Sequence, residues 1–208
     1  NKNTIPSMFL AGKKANALGH IVLLAPVGAG ASRLRTDTAN RLMQEVRFDA
    51  VRGNISEIKT LCTGSGSTKG VDADAVDAVT EANLDDGVQL VKAFAQKTGC
   101  IIAVTGAIDL VSDGERCWCI RNGRAEMSRI TGTGCQLSAL MTAFLVANPD
   151  RKLDAAAAAV CMMGLAGEIG WANMQPGDGN STYRDRIIDA IFNMTGDALE
   201  EGAKYELR

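Results

Sequence analysis

The residues best placed to do chemistry lie in the glycine-rich stretch 129–138 (RITGTGCQLS). Apolar residues recur at helical spacing after this stretch, so we expect a helix to begin near Gly134 or Cys135. The N–H groups and the positive dipole at a helix start bind anions, and a phosphoryl group in transfer is the commonest anion that needs such a cradle. The Cys135 thiol adds a candidate base or nucleophile. The alternative is that Gly132 and Gly134 only make a tight turn from a strand into a helix.

A second set of polar residues follows a short predicted strand at residues 48–51. Asn54 and Glu57 are three residues apart, which is the spacing of a capping box at the start of a helix. They also share one helix face at the carboxyl end of a strand, where they could hold a hydrated magnesium ion while Arg52 contacts a nucleotide phosphate. The residues alone leave both interpretations open.

Two further glycine-rich segments give weaker signals. Residues 26–32 (PVGAGAS) leave the carboxyl end of an apolar strand at 20–25, where open α/β sheets bind ligands, but they match neither GxGxxG nor a Walker A loop. A structural turn and a ligand loop are equally favoured there. Residues 63–70 (TGSGSTKG) do not have the P-loop order and favour a surface loop.

Composition favours one globular domain over residues 1–208 with a small-molecule site. The chain is 46% hydrophobic and 22% charged, which is enough apolar sequence for a substantial core. A net charge of −2 and an aromatic content of only 4% argue against nucleic-acid binding. Six cysteines without the spacing of disulfide or zinc pairs indicate reduced thiols in a cytoplasmic protein. The most apolar run, residues 155–165, is too short to cross a membrane, so we expect no membrane association.

The order of the predicted elements indicates the fold. Strands alternate with helices, the candidate loops follow strand ends, and the sequence has no dinucleotide fingerprint. This pattern predicts an α/β protein with an open, mostly parallel sheet flanked by helices. The predicted strands are 20–25, 48–51, 100–106, 109–112 and 115–120, and the predicted helices include 8–18, one capped by Thr36 or Asp37, 85–98, 153–172 and 183–194.

Four motifs in register carry a resemblance to a known family. They are PVGAGA at 26–31, RGNxxE at 52–57, VTGA at 104–107 followed by DxVSDG at 109–114, and TGTGC at 131–135. In this order, over nearly all of the chain, they closely resemble the hydroxyethylthiazole kinases of thiamine salvage. The resemblance implies a ribokinase-like fold and transfer of the γ-phosphoryl group of ATP, with Mg²⁺, to the hydroxyethyl group of 4-methyl-5-(2-hydroxyethyl)thiazole. It also implies a homotrimer with active sites at subunit interfaces.

Matching positions imply roles for the residues at the strand ends. Arg52 and Thr105 would contact ATP, and Asn54 and Glu57 would organise the magnesium-bound phosphates. One position departs from the family pattern, because Ala25 stands where the family carries an Asp linked to magnesium. Family members also begin well before the first residue of this chain, with the first strands of the sheet and part of the thiazole site. The N-terminal part of the family domain is therefore expected to be absent.

The same matching assigns the glycine-rich stretch to the acceptor and to the reaction. Gly132 would border the thiazole. Cys135 stands where wider ribokinase relatives use an Asp to accept the proton of the alcohol. An anion hole would be formed by the amides of four successive residues, Gly132, Thr133, Gly134 and Cys135.

Three functions compete at this point. The first is an active thiazole kinase, with the thiazole alcohol and ATP as its small-molecule partners. The second is a truncated or impaired homologue that binds thiazole or nucleotide with little turnover. The third, a dinucleotide-dependent oxidoreductase, is disfavoured because no GxGxxG follows a strand.

Overall fold

The computed structural model describes residues 3–64 and 77–208, and the backbone alone of residues 68–69 and 72–73. The interpretation of residues 63–70 as a surface loop therefore lies largely outside the described residues. The chain divides into two compact units, the first formed by Asn1–Gly106 with Leu110–Cys117 and the second by Ala107–Asp109 with Trp118–Arg208. The single domain expected over 1–208 stays a prediction.

Among the residues that the structure describes, the first unit contains four α-helices and most of the strands. The helices are α1 (Thr4–Ala17), α2 (Arg33–Glu45), α3 (Ile55–Thr63) and α4 (Leu84–Thr98), and a 3-10 turn at Glu81–Asn83 leads into α4. The strands are β1 (Leu23–Leu24), β2 (Ala50–Asn54), β3 (Thr68–Lys69), β4 (Asp72–Ala73), β5 (Ile101–Thr105) and, except for its first residue, β6 (Asp109–Ser112). Strands β1, β2, β5 and β6 are neighbours in that order, and β3 pairs with β4 alone.

Parallel pairing is confined to the first three strands of that order. β1 pairs with β2 and β2 pairs with β5 in parallel, with Asn54 opposite Thr105 at the carboxyl edge. β6 is antiparallel to β5. Only residues 106–108 separate these two strands, whereas a parallel connection needs a crossover of a dozen residues or more. The sheet is consequently mixed and not mostly parallel.

Some element bounds differ from the sequence prediction. The second strand begins at Ala50 and continues through Asn54, because its ladder with β5 holds the Arg52-Gly53-Asn54 stretch extended. The first strand has two residues where six were predicted. The helix cap assigned to Thr36 or Asp37 is wrong, since α2 follows Ser32 and Thr36 lies inside the first turn.

The second unit is built around one long helix. α6 (Lys152–Ala172) packs against α5 (Thr133–Ala147) and α7 (Asn180–Asn193), and α8 (Gly196–Gly202) follows. Strand β7 (Cys117–Ile120) pairs antiparallel with the C-terminal strand β8 (Tyr205–Leu207). A short 3-10 helix at Ala125–Arg129 precedes α5.

Helix α6 corrects the length argument made from residues 155–165. The helix has 21 residues, so it is long and apolar enough to cross a membrane by length and composition. However, 67% of its most apolar window is buried inside the protein. Several of its small residues, among them Ala156, Ala159 and Ala166, are fully buried, as in the core helix of a globular protein.

Six strands in all, β1, β2, β5, β6, β7 and β8, make up a mixed sheet flanked by helices. This architecture confirms the α/β fold class. The buried strand residues explain why it could be predicted, because β5 is apolar at every position except its last and Ile102 and Ala103 are fully buried. A strand covered on both faces has such a continuous apolar run.

Candidate functional site

The first unit holds a buried carboxylate beside the carboxyl edge of β2. Glu57 is 4% exposed, and each of its oxygens accepts a backbone hydrogen bond. The Gly28 N–H donates to Oε1 over 2.7 Å, and the Asn54 N–H donates to Oε2 over 2.9 Å. Burial raises the pKa of Glu57 above its usual 4.5, against the two N–H bonds and the charges of Arg52 and Arg35. A cation beside this carboxylate would offset the cost of its burial.

The capping box predicted at the start of α3 is confirmed. The Asn54 side chain accepts from the Glu57 N–H over 2.8 Å, and the Glu57 side chain accepts from the Asn54 N–H in return. The box also determines where the carboxylate lies, because it fixes the Glu57 side chain against β2. An added Cβ at Gly53 would approach Glu57 Oε2 to 3.0 Å, so the glycine leaves room for the carboxylate.

The loop at residues 26–32, between β1 and α2, contacts this carboxylate. Gly28 has a φ of +76°, a conformation that favours glycine, and its N–H points to Glu57. The Gly30 N–H donates to Thr36 Oγ1 over 2.9 Å, and the Thr36 hydroxyl donates to the Ser32 carbonyl. The first turn of α2 therefore holds the loop that delivers one of the two hydrogen bonds to Glu57.

Arg52 and Thr105 meet at the ends of the neighbouring strands β2 and β5. Arg52 Nη2 donates to Thr105 Oγ1 over 3.0 Å. Both residues are half-buried, and Arg52 lies close enough to Glu57 to lower its pKa through charge. The fold thus brings together the four residues predicted for nucleotide and metal, although their contacts with a ligand remain predictions: Arg52, Asn54, Glu57 and Thr105.

Magnesium fits this cluster only if phosphates complete its coordination. In the part of the chain that the structure describes, no group of three or more His, Cys, Asp or Glu side chains could hold a metal. Glu57 supplies one carboxylate, and Ala25 supplies none. Mg²⁺ usually keeps several waters and binds through one or two carboxylates and phosphate oxygens. The residues therefore fit an ion that arrives with a phosphate ligand, not an all-protein metal cage.

The second unit places the glycine-rich stretch at the start of α5. The helix begins at Thr133, one residue before the predicted range, and Gly132 precedes it with a φ of +99°. The first helical hydrogen bond runs from the Gln136 N–H to the Gly132 carbonyl over 3.0 Å. The preceding amides, of Thr133, Gly134 and Cys135, thus occupy the positions where a helix has N–H groups without an intrahelical acceptor. The Cys135 side chain is at the exposed surface of this unit.

Close packing against α6 supports the segment that leads into this helix start. A Cβ at Gly164 would lie 2.7 Å from the Asn122 carbonyl carbon, and one at Gly167 would collide with the Met127 side chain. The Gly123 N–H donates to Glu168 Oε1 over 2.9 Å. Sequence reasoning missed these contacts, although the alanines and glycines of α6 are a signal of close packing that the sequence contains.

Comparisons with known proteins agree in one family. The model of the hydroxyethylthiazole kinase family matches residues 1–197. The chain is 52% identical over 206 residues to the hydroxyethylthiazole kinase of Clostridium acetobutylicum. This alignment covers 99% of the chain and 76% of the relative. It is 43% identical over 207 residues to the hydroxyethylthiazole kinase of Clostridium beijerinckii, with 99% and 73% covered.

Solved structures give the same result for the fold. The hydroxyethylthiazole kinase protein from Pyrococcus horikoshii OT3 superposes with a TM-score of 0.84 at 27% identity. The superposition covers 100% of this chain and 73% of the Pyrococcus chain. The pyridoxal kinase from Staphylococcus aureus in complex with ADP superposes with a TM-score of 0.60 at 17% identity. This superposition covers 98% of this chain and 68% of the pyridoxal kinase, and the likeness concerns the fold alone. These neighbours confirm the ribokinase-like fold.

Proposed function

Because the chain belongs to the hydroxyethylthiazole kinase family, we propose that it transfers the γ-phosphoryl group of ATP to the hydroxyethyl group of 4-methyl-5-(2-hydroxyethyl)thiazole. The product would enter thiamine salvage. The observation that carries this proposal is the buried Glu57 carboxylate, held by the Gly28 and Asn54 amides beside the Arg52 and Thr105 pair. Phosphoryl transfer needs cations and donors fixed around the phosphates, and this cluster supplies that chemistry in the first unit.

In this proposal Arg52 and Thr105 bind the phosphates of ATP. A guanidinium makes charge-assisted, often bidentate hydrogen bonds to phosphate oxygens, and Thr105 Oγ1 already fixes one end of the Arg52 fork. The half-buried position of Arg52 strengthens such a contact, because water competes less with it. Arg52 would lower the KM for ATP more than the KM for the thiazole.

Glu57 would hold Mg²⁺ together with phosphate oxygens, and Asn54 would keep the carboxylate in place. When bound, the ion neutralises charge on the β- and γ-phosphates. The chain contributes the Glu57 carboxylate, whose burial is unfavourable unless a cation lies beside it. The N–H groups of Gly28 and Asn54 orient this carboxylate. Ala25 leaves the ion with one protein carboxylate from this cluster.

For the chemical step, we assign the acceptor side to the start of α5. The alcohol oxygen forms its bond to the γ-phosphorus as the bond to the β,γ-bridging oxygen breaks and ADP leaves. Cys135 would accept the alcohol proton, and the amides of Gly132, Thr133, Gly134 and Cys135 would hydrogen-bond the transferring phosphoryl oxygens. Gly132 has no side chain and would border the thiazole ring.

Assembly and location complete the proposal. The family resemblance supports a homotrimer, which light scattering coupled to gel filtration would measure. The six cysteines are present as thiols, and a reduced state suits a cytoplasmic protein.

The decisive experiment on function is an acceptor series. ADP release is followed with ATP and Mg²⁺ in the presence of the thiazole alcohol, pyridoxal, or 4,5-dimethylthiazole, which lacks the hydroxyl group. We expect release with the thiazole alcohol to exceed release with pyridoxal, and no stimulation by dimethylthiazole. Calorimetric binding of the thiazole alcohol without ADP release would instead indicate a binding protein with little turnover.

A further inference from the structure

We propose that Arg35 is a second guanidinium that contacts the phosphates of the bound nucleotide. This inference rests on the proposed function, since it assumes a nucleotide at the Glu57 cluster. Neither sequence motif nor family resemblance assigned a role to Arg35. Three observations in the first unit support it. The Arg35 side chain lies on Gly28, its guanidinium retains N–H donors, and its charge lies near Glu57.

The Arg35 side chain lies directly on the loop that reaches Glu57. Its Nη1 donates to the Val27 carbonyl over 3.2 Å. A Cβ built at Gly28 would lie 2.8 Å from both Cδ and Nη1 of Arg35, so the side chain occupies the space that any other residue at position 28 would fill. The Gly28 N–H, in turn, donates to Glu57. Arg35 and Glu57 therefore contact the same glycine.

The guanidinium retains donors for an anionic ligand. Arg35 belongs to an exposed position of α2, and a guanidinium has five N–H donors. Within the described residues, the bond to the Val27 carbonyl is its one hydrogen bond, and no carboxylate lies in ion-pair range. Other arginines of α2 differ, because Arg33 pairs with Asp37 at 3.6 Å and Arg41 pairs with Glu45 at 3.2 Å. The residue four positions after Arg35 is Ala39, which cannot form such a pair.

The charges around Glu57 favour a polyanion. Arg35 and Arg52 both lie near enough to Glu57 to lower its pKa through charge. One carboxylate thus lies near two guanidinium groups. Two guanidiniums beside one carboxylate suit a triphosphate with its magnesium ion better than a neutral ligand.

The expected effect is confined to ligands that carry phosphates. A charge-assisted hydrogen bond at a partly exposed position corresponds to a loss of about tenfold in affinity when the charged group is removed. Arg35→Ala should raise the Kd for ATP by about that factor and leave the Kd for adenosine unchanged. The reason is that adenosine shares the base and sugar of ATP but offers no anion to Arg35.

A glutamine variant separates phosphate contact from a merely structural role. Arg35→Gln keeps a side-chain amide donor of shorter reach, but it removes the charge. If Arg35 contacts phosphate, Arg35→Gln should weaken ATP binding about as much as Arg35→Ala, and raising the salt concentration should narrow the difference from wild type. If Arg35 only holds the loop, the loss of ATP affinity in Arg35→Gln would be the same at low and high salt, and this result would overturn the proposal.

Arg33→Ala is the matched control, because it removes the same charge two residues away on the same helix. Titration calorimetry with ATP and with adenosine, on variants whose folding is checked by circular dichroism, makes the comparison. We expect Arg33→Ala to bind ATP within about twofold of wild type. If Arg33→Ala loses as much ATP affinity as Arg35→Ala, Arg35 acts only through its long-range charge, and the proposed phosphate contact is wrong. Binding is measured without an acceptor, so the result decides the role of Arg35 even if thiazole phosphorylation fails. A wild-type chain that does not bind ATP would overturn both proposals.

Discussion

The Gly28 N–H donates to Glu57 Oε1 over 2.7 Å, although the two residues are 29 positions apart. This bond connects the loop after β1 to the first turn of α3, and Arg35 packs against the same glycine. Glu57 therefore depends on two local structures, the capping box at its own helix and the loop held by α2. Substitutions in the loop should therefore change the position of the Glu57 carboxylate, although Glu57 itself is unchanged.

Gly28→Ala tests this dependence. Gly28 has a φ of +76°, which alanine rarely adopts, and an added Cβ would push the Arg35 side chain aside, so the substitution should disturb both the loop and the seat of Arg35. We expect weaker binding of magnesium-ATP together with a loss of stability of about 1–2 kcal/mol from the left-handed backbone. Gly19→Ala is the matched control, because Gly19 has a φ of +70° but no atom within 4 Å of the added Cβ. Equal ATP affinity in the two variants would show that Gly28 contributes only to the turn.

The pH dependence of nucleotide binding should report on Glu57. Because burial raises its pKa above 4.5, Glu57 takes up a proton at a higher pH than an ordinary carboxyl group. As pH falls through that raised pKa, the carboxylate loses its charge and magnesium loses a ligand, so affinity for magnesium-ATP should fall. Bound magnesium should also release protons from the site, which calorimetry in two buffers of different ionisation enthalpy would detect.

Glu57→Gln provides the control for that titration. ATP itself also takes up a proton as the pH falls, but it does so equally for both proteins. The wild-type affinity should therefore fall more steeply with decreasing pH than that of Glu57→Gln, and parallel curves would remove Glu57 from the metal site. Without ligand the sign is opposite: the folded state binds this proton more tightly than the unfolded chain, so ionised Glu57 costs stability above its pKa and the cost disappears as pH falls.

Arg52→Ala should affect ATP more than the thiazole. The Arg52 guanidinium is oriented by Thr105 Oγ1 at 3.0 Å and carries a charge that Ala lacks. We expect an increase of about tenfold or more in the KM for ATP with a smaller change in the KM for the thiazole alcohol. Arg52→Lys keeps the charge without the fork and should give an intermediate result. An unchanged KM for ATP in folded Arg52→Ala would place the residue outside the nucleotide site.

Cys135 is tested by replacement in both directions. As a proton acceptor it should contribute up to about 10²–10⁴-fold, so Cys135→Ala should lower kcat and leave ATP binding in place. Cys135→Asp supplies a group that is ionised at neutral pH and should hold or increase kcat. Cys62→Ala, which removes a half-buried thiol from α3, controls for thiol loss alone. If Cys135→Ala turns over like wild type, the backbone amides and positioning carry the reaction.

Gly164→Ala tests the support of the helix start in the second unit. The added Cβ would lie 2.7 Å from the backbone of Asn122, whose side chain bonds both the Gly202 carbonyl and the Lys204 N–H. That backbone cannot shift cheaply, so we expect a destabilisation of about 1–3 kcal/mol in urea unfolding. Gly196→Ala, with no atom within 4 Å of its Cβ, should be close to neutral. Similar stability of the two variants would mean that the contact at Gly164 relaxes freely.

The local parts of the structure could be predicted from the sequence, and the long-range parts could not. The capping box of Asn54 and Glu57 has a three-residue spacing that identifies it, and the apolar run of β5 identifies a buried strand. The bond between Gly28 and Glu57 has no such local signal, because it depends on how β1 and β2 pair. The ladder between β2 and β5 likewise extended β2 through Asn54, beyond the predicted end of the strand at residue 51.

Phosphorus NMR of the reaction product determines whether this chain phosphorylates the thiazole alcohol. The chain is incubated with ATP and Mg²⁺, once with the thiazole alcohol and once with 4,5-dimethylthiazole. The account predicts a new phosphate monoester, equal in amount to the ADP formed, only with the thiazole alcohol. ADP without a monoester, or equal ATP loss with both compounds, would contradict the assignment of this chain as a thiazole kinase.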